Sequence, residues 1–118
     1  MDYNEEIYTE NHSWPEEGGK FLAIITPSGR LILESKPFQS FIRLIEYVGI
    51  ENVATLDLKG KDELPLVSQT RYTLRNYQPA ADGWFVYTTM NLKEKIKMID
   101  HIGDLTGQKF FCATKLVR

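Results

Sequence analysis

Residues 83–103 read GWFVYTTMNLKEKIKMIDHIG, and residues 29–49, 54 positions earlier, read GRLILESKPFQSFIRLIEYVG. Aligned without a gap, Gly29/Gly83, Ile42/Ile96, Ile45/Ile99 and Gly49/Gly103 are identical. Leu31/Phe85, Ile32/Val86, Leu33/Tyr87, Phe38/Leu92, Arg43/Lys97, Leu44/Met98, Glu46/Asp100 and Val48/Ile102 keep their character, so 12 of the 21 positions match. Such an echo reads as an internal duplication at an offset of 54; the competing explanation is that any strand followed by a helix needs this patterning.

The helical half of each copy carries its own punctuation. In the second, Asn91 suits an N-cap with Glu94 three residues on, Leu92, Ile96, Ile99 and Ile102 form the apolar stripe, and Gly103 supplies the stop. In the first, Pro37 suits the opening turn, Phe38, Phe41/Ile42, Ile45 and Val48 recur at helical steps, and Gly49 ends the run. A helix over 36–49 and another over 91–103 follow.

Ahead of each helix stands a hairpin. FLAIIT and RLILES flank Pro27-Ser28-Gly29, and RYTLRNY and GWFVYTT flank a longer turn through residues 78–83. After each helix the extended pattern returns, as NVATLDL over 52–58 and as a closing strand over 109–116. The predicted fold class is therefore α+β, with two tandem ββαβ units packed as a pseudo-dimer over a mixed or antiparallel sheet with two helices. The first unit spans residues 20–58 and the second 70–118, within one globular domain over 20–118. Residues 59–69, KGKDELPLVSQ, have no counterpart and read as a connecting loop with a short turn at 64–67.

At 118 residues the chain is long enough to bury a core without metals or disulfides, and its 42% hydrophobic content argues against general disorder. Cys112 is the lone cysteine and sits in the apolar run FFCATKL, where it reads as a small buried hydrophobe. The opening residues have neither the basic start nor the apolar stretch of a signal peptide, and no run approaches the ~20 apolar residues of a membrane span. A soluble, cytoplasmic protein is the expectation.

The net charge of −2 conceals an uneven distribution. Residues 1–19 form an acidic, largely irregular leader with six acids and no lysine or arginine, and they include Trp14, which reads as packed on the body. The rest of the chain holds all 14 bases against ten acids, and residues 59–118 hold ten bases and six acids. A modestly basic body suits a polyanionic partner without requiring one.

On the second hairpin, period-two alternation places Arg71, Thr73, Arg75 and Tyr77 on one strand face, with Tyr72 and Leu74 on the other. Trp84 opens the partner strand. Guanidinium groups on phosphates with aromatic rings under bases are how sheet surfaces hold single strands. A solvated sheet face with arginine stems lying along it is the plainer reading. Lys93 and Lys97, four apart on the second helix, repel one another mildly and would be relieved by an anion, or by Asp100 and Asp104 within the helix. The candidate nucleic-acid-binding residues are thus Arg71, Arg75, Tyr77, Trp84, Lys93 and Lys97.

Catalysis finds little to stand on, since GxSxG, P-loop, HExxH and paired CxxC patterns are all missing, and neither a cofactor nor a metal is called for. His12 lies in the leader, and His101 on the second helix reads as a surface residue. Asp57-Leu58-Lys59 matches the acid-x-Lys fragment of magnesium-dependent nuclease sites, with Glu34 or Glu46 needed as the further acid.

The expectation is a small non-enzymatic binding or regulatory protein for single- or double-stranded nucleic acid. An interaction module or inhibitor gripping a protein partner through the acidic leader and residues 59–69 is the alternative, and a metal-dependent nuclease the third reading. Outer strands of the units could pair with another copy, which leaves monomer and homodimer both open.

Overall fold

The computed structural model describes residues 21–60, 63–71 and 76–114. The leader and part of the expected closing strand lie outside them. The first hairpin is β1 (Ala23–Ile25) and β2 (Leu31–Leu33), paired antiparallel with Ala23 opposite Leu33 and Ile24 opposite Ile32. Its turn is closed by the Thr26 N–H donating to the Arg30 carbonyl at 2.9 Å, and Gly29 takes the positive φ of 86° that the reversal demands. Helix α1 (Pro37–Val48) follows, with proline in its first turn as expected.

After α1 the structure departs from the expected order. Residues 52–58, read as a third strand, instead contribute to a second helix, α2 (Ile50–Thr55). Gly49, at φ 103°, turns the chain, and its carbonyl accepts from the Val53 N–H at 2.9 Å, so helical bonding restarts at once. Ile50 and Val53, three residues apart, are both buried, which is a helical spacing. The apparent alternation in NVATLDL was thus a short amphipathic turn of helix.

Residues 59–69 are also more than a connection. Lys59 bridges to Pro65, and Val67–Ser68 form β3. The second hairpin comprises β4 (Tyr77–Pro79) and β5 (Phe85–Tyr87), and helix α3 (Leu92–Thr106) and β6 (Phe111–Ala113) complete the order. Among the described residues these strands make two three-stranded antiparallel sheets, ordered β2-β1-β6 and β3-β5-β4. The chain is α+β.

The echo at 54 positions holds for the hairpin and the helix start. Tyr77 opposes Tyr87 as Ala23 opposes Leu33, and Gly83 has a positive φ of 77° where Gly29 has one. Beyond the helices it fails. The first half runs ββαα, and β6, which follows α3, pairs with β1 rather than with the second hairpin. Two self-contained ββαβ units are therefore not what the chain builds.

Helix α3 opens with the expected capping box: the Asn91 Oδ1 accepts from the Glu94 N–H at 2.8 Å while Glu94 accepts from the Asn91 N–H at 2.9 Å. Gly103, expected to end it, lies inside it. The stop is Gly107, left-handed at φ 70°, with its N–H donating to the Gly103 carbonyl. Gly103 is required for space: a Cβ there would sit 2.6 Å from the Gln108 carbonyl oxygen.

The main core gathers Phe41, Leu44 and Ile45 of α1, Ile99 and Ile102 of α3, Ile24 and Ile32 of the first sheet, and Val86 and Tyr87 of the second. Each fully buried Ile or Leu side chain contributes roughly 1.5–3 kcal/mol. Phe21, Ala23 and Leu33 form a second, smaller cluster with Ile25, Leu31 and Ala113, the residues that alternate onto the other face of the first sheet. Among the described residues no helix is long and apolar enough to cross a membrane.

Candidate nucleic-acid interface

The six residues singled out in the sequence do not form one surface. Tyr77 is 0% exposed, its ring packed edge-on against Tyr87 at 5.7 Å and its hydroxyl donating to the Pro65 carbonyl. It belongs to the core, which corrects the expectation that it shares an exposed face with the arginines. Of the expected strand 71–77 only Tyr77 lies in a described strand, β4, and its side chain is turned into the core, where its hydroxyl meets Pro65 of the 59–69 segment. The described residues of that segment are tied to the fold through β3, the Lys59–Pro65 bridge and this Tyr77 contact.

Trp84 is half-buried against the main core. Its open side faces a shallow groove shared with Glu46, Glu51 and Asp82, three acids that disfavour a phosphate. Arg71 is exposed and holds its guanidinium carbon 5.7 Å from the centre of the Phe85 ring, a cation–π placement worth about 0.5–1 kcal/mol at an exposed site. Arg75 lies outside the described residues.

Lys93 and Lys97 sit on exposed turns of α3, and His101 continues the same i,i+4 series. Four residues of helix rise about 6 Å, so the three side chains form a stripe roughly 12 Å long. The ion pairs among the described residues join Arg43 to Glu34 and Glu46, and Lys59 to Asp57. Neither Lys93 nor Lys97 is neutralised there, although Asp100 stands one turn beyond Lys97 and Asp104 two turns. Lys95, between them in sequence, turns inward: it is 6% exposed and its ammonium donates to the Met90 carbonyl. Burial pulls its pKa below the ordinary lysine value, with Glu94 opposing the shift.

Beside the stripe runs a groove of about 480 Å³ lined by Lys97, His101 and Glu94 of α3, by Met90 and Met98, and by Lys59 and Gly60 from the chain after α2. Gly60 lies directly against the Tyr87 ring, where a Cβ would come within 2.5 Å. Phe85 and Tyr87 leave β5 on the same face, so Arg71 and Gly60 rest on rings only two residues apart. The stripe was legible as a helical series, because 93, 97 and 101 share one face. Met98 lies on the same helix at the spacing of Glu94 and His101, whereas Lys59 and Gly60 come from a distant part of the chain, with Gly60 packed on Tyr87.

The nuclease fragment does not assemble. Asp57 lies after a helix rather than at a strand end, in a left-handed conformation at φ 53°, and its carboxylate holds Lys59 at 3.2 Å. Glu34 and Glu46 are both engaged by Arg43 at 3.5 Å. Among the described residues no three His, Cys, Asp or Glu side chains converge as metal ligands would. Cys112 packs against the main core, where burial, reinforced by the Asp100 charge, pushes its thiol up to about 12, far from a reactive thiolate. Compared with known protein families, curated proteins and solved structures, the chain matches none of them.

Proposed function

We propose that this chain is a small non-enzymatic binding protein that holds the backbone of a nucleic acid along the Lys93–Lys97–His101 stripe of α3, with Lys59 across the groove and Arg71 on Phe85 as a further cation. The observation that carries the reading is the pair of lysines one turn apart without a carboxylate partner among the described residues, the second of which, Lys97, lines a groove together with two thioethers. Unpaired like charges on one helix face cost a few tenths of a kcal/mol, and a phosphate between them reverses the sign. The mechanism is neutralisation of phosphates with little reading of sequence. Aromatic stacking through Tyr77 has no part in it.

Fluorescence anisotropy with labelled oligonucleotides across a salt series tests the reading. Each phosphate contact contributes about −0.7 (single strand) to −0.9 (duplex) to the slope of log K against log salt. The double variant Lys93→Ala/Lys97→Ala should therefore flatten the slope by roughly 1.4–1.8 while leaving the melting temperature within about 1–2 °C. An unchanged slope and affinity in a folded variant would remove α3 from the interface.

A further inference from the structure

Among the described residues β2 is an edge strand: in the first sheet it pairs with β1 alone, and β1 pairs on its other side with β6. The Thr26 N–H to Arg30 carbonyl bond fixes the phase of the ladder, so the next mutually bonded pair is Ile24 with Ile32. Leu31 and Leu33 consequently turn their N–H and C=O groups away from β1, and neither has a backbone partner among the described residues. A groove of about 370 Å³ runs along this side, with Leu31–Leu33 as one wall and Arg43, Glu46 and Tyr47 of α1 as the other.

The edge is complementary to itself. Place a second β2 antiparallel to it about a two-fold axis through Ile32. Leu31 then opposes Leu33 of the other copy, and these are the residues whose hydrogen-bonding groups point outward, so each exchanges both bonds of an antiparallel pair. Slipping the pairing by one residue, with the axis midway between two residues, would set outward groups against inward ones. An axis through Leu31 or Leu33 would keep the bonding but set Arg30 or Glu34 opposite Ile32, so the axis through Ile32 is the one that also pairs the flanking charges. In the same register Arg30 opposes Glu34 of the other copy, twice by symmetry. Arg30 is exposed and has no ion-pair partner among the described residues. Glu34 is held by Arg43 at 3.5 Å with room on its exposed side.

We propose that two copies of this chain associate through β2, antiparallel about Ile32, to join their first sheets into one continuous six-stranded sheet. Opposite charges set directly across strands support the register, and reversing one sign opposes it. The symmetry is closed and isologous, so association stops at two. It is independent of the nucleic-acid reading, since α3 takes no part in it.

Sedimentation velocity of the full chain over a concentration series reads the outcome as mass. The wild type should move from 13.7 kDa towards twice that value. Arg30→Glu places an acid opposite Glu34, and Glu34→Arg places a base opposite Arg30; each alone should weaken self-association about tenfold or more. Mixed in equal amounts, the two variants should recover a dimer, because each then faces its opposite charge. Leu31→Pro removes an outward N–H and leaves the Ile24–Ile32 bonds to β1 in place, so it should give a folded monomer. Circular dichroism and melting curves check folding in each case; if the proline variant fails to fold, the charge pair decides. A wild type that stays at the monomer mass at its highest workable concentration overturns the proposal. So does a dimer that ignores both single charge reversals, or a mixture that fails to recover it.

Discussion

Replacing Tyr77 with phenylalanine removes one oxygen and tests whether this ring belongs to the core or to a binding surface. In the structure the ring is fully buried, and its hydroxyl ties β4 to the Pro65 carbonyl, twelve residues back along the chain. Losing a hydrogen-bond donor to a buried acceptor costs about 1–3 kcal/mol. Pro65 is only half-buried, so water can reach its carbonyl and the cost should fall near ~1–1.5 kcal/mol. For a domain of this size that lowers the melting temperature by roughly 4–8 °C. Tyr77→Ala adds the cavity of a whole ring and the loss of its edge-on contact with Tyr87, about 3–5 kcal/mol in all. The assay is thermal unfolding by circular dichroism, run beside oligonucleotide anisotropy below the transition. Folded Tyr77→Phe should bind as the wild type does. A variant with an unchanged melting temperature and weakened binding would refute the core assignment and restore Tyr77 to the interface.

Gly103→Ala should destabilise the protein, although glycine to alanine inside a helix ordinarily stabilises by about 1 kcal/mol. The new methyl would lie 2.6 Å from the Gln108 carbonyl oxygen and 3.3 Å from the Phe110 ring, so a drop of roughly 1–3 kcal/mol is expected in urea unfolding, and a rise would refute the packing. Lys95 makes a pH-dependent contribution. Burial lowers its folded pKa below the unfolded value of 10.5, so between the two values the unfolded chain binds more protons and stability rises with pH. Below the folded pKa the full penalty for charging a buried ammonium is present. The difference in unfolding free energy between wild type and Lys95→Met should therefore shift in favour of the wild type as pH climbs towards 10.5, whereas a flat difference would mean that the ammonium is solvated.

Much of the candidate site was legible in part. Lys93, Lys97 and His101 share a helix face by simple periodicity, and the helix itself was marked at its start by Asn91 and Glu94. Lys59 could not be added to them from sequence, because its proximity depends on tertiary packing that brings residues 59–60 to α3 and sets Gly60 against the Tyr87 ring. The same applies to Trp84: an aromatic opening a strand says nothing about the three acids that share its groove.

By itself the sequence determined those features whose chemistry is local. The Pro27–Gly29 turn, the proline opening of α1 and the capping box of α3 all depend on residues within a few bonds or one helical turn of one another. Tertiary structure decided the rest. Residues 50–55 are helical because Gly49 restarts the hydrogen-bond ladder and both Ile50 and Val53 find burial, although their pattern also suited a strand. β6 joins β1 across most of the chain, and residues 59–69 supply β3, since an edge strand is completed by whichever segment reaches it in register. Which face of a strand is buried, and so whether Tyr77 is core or surface, depends on what covers it. That information resides in the partner segment and not in the strand's own alternation.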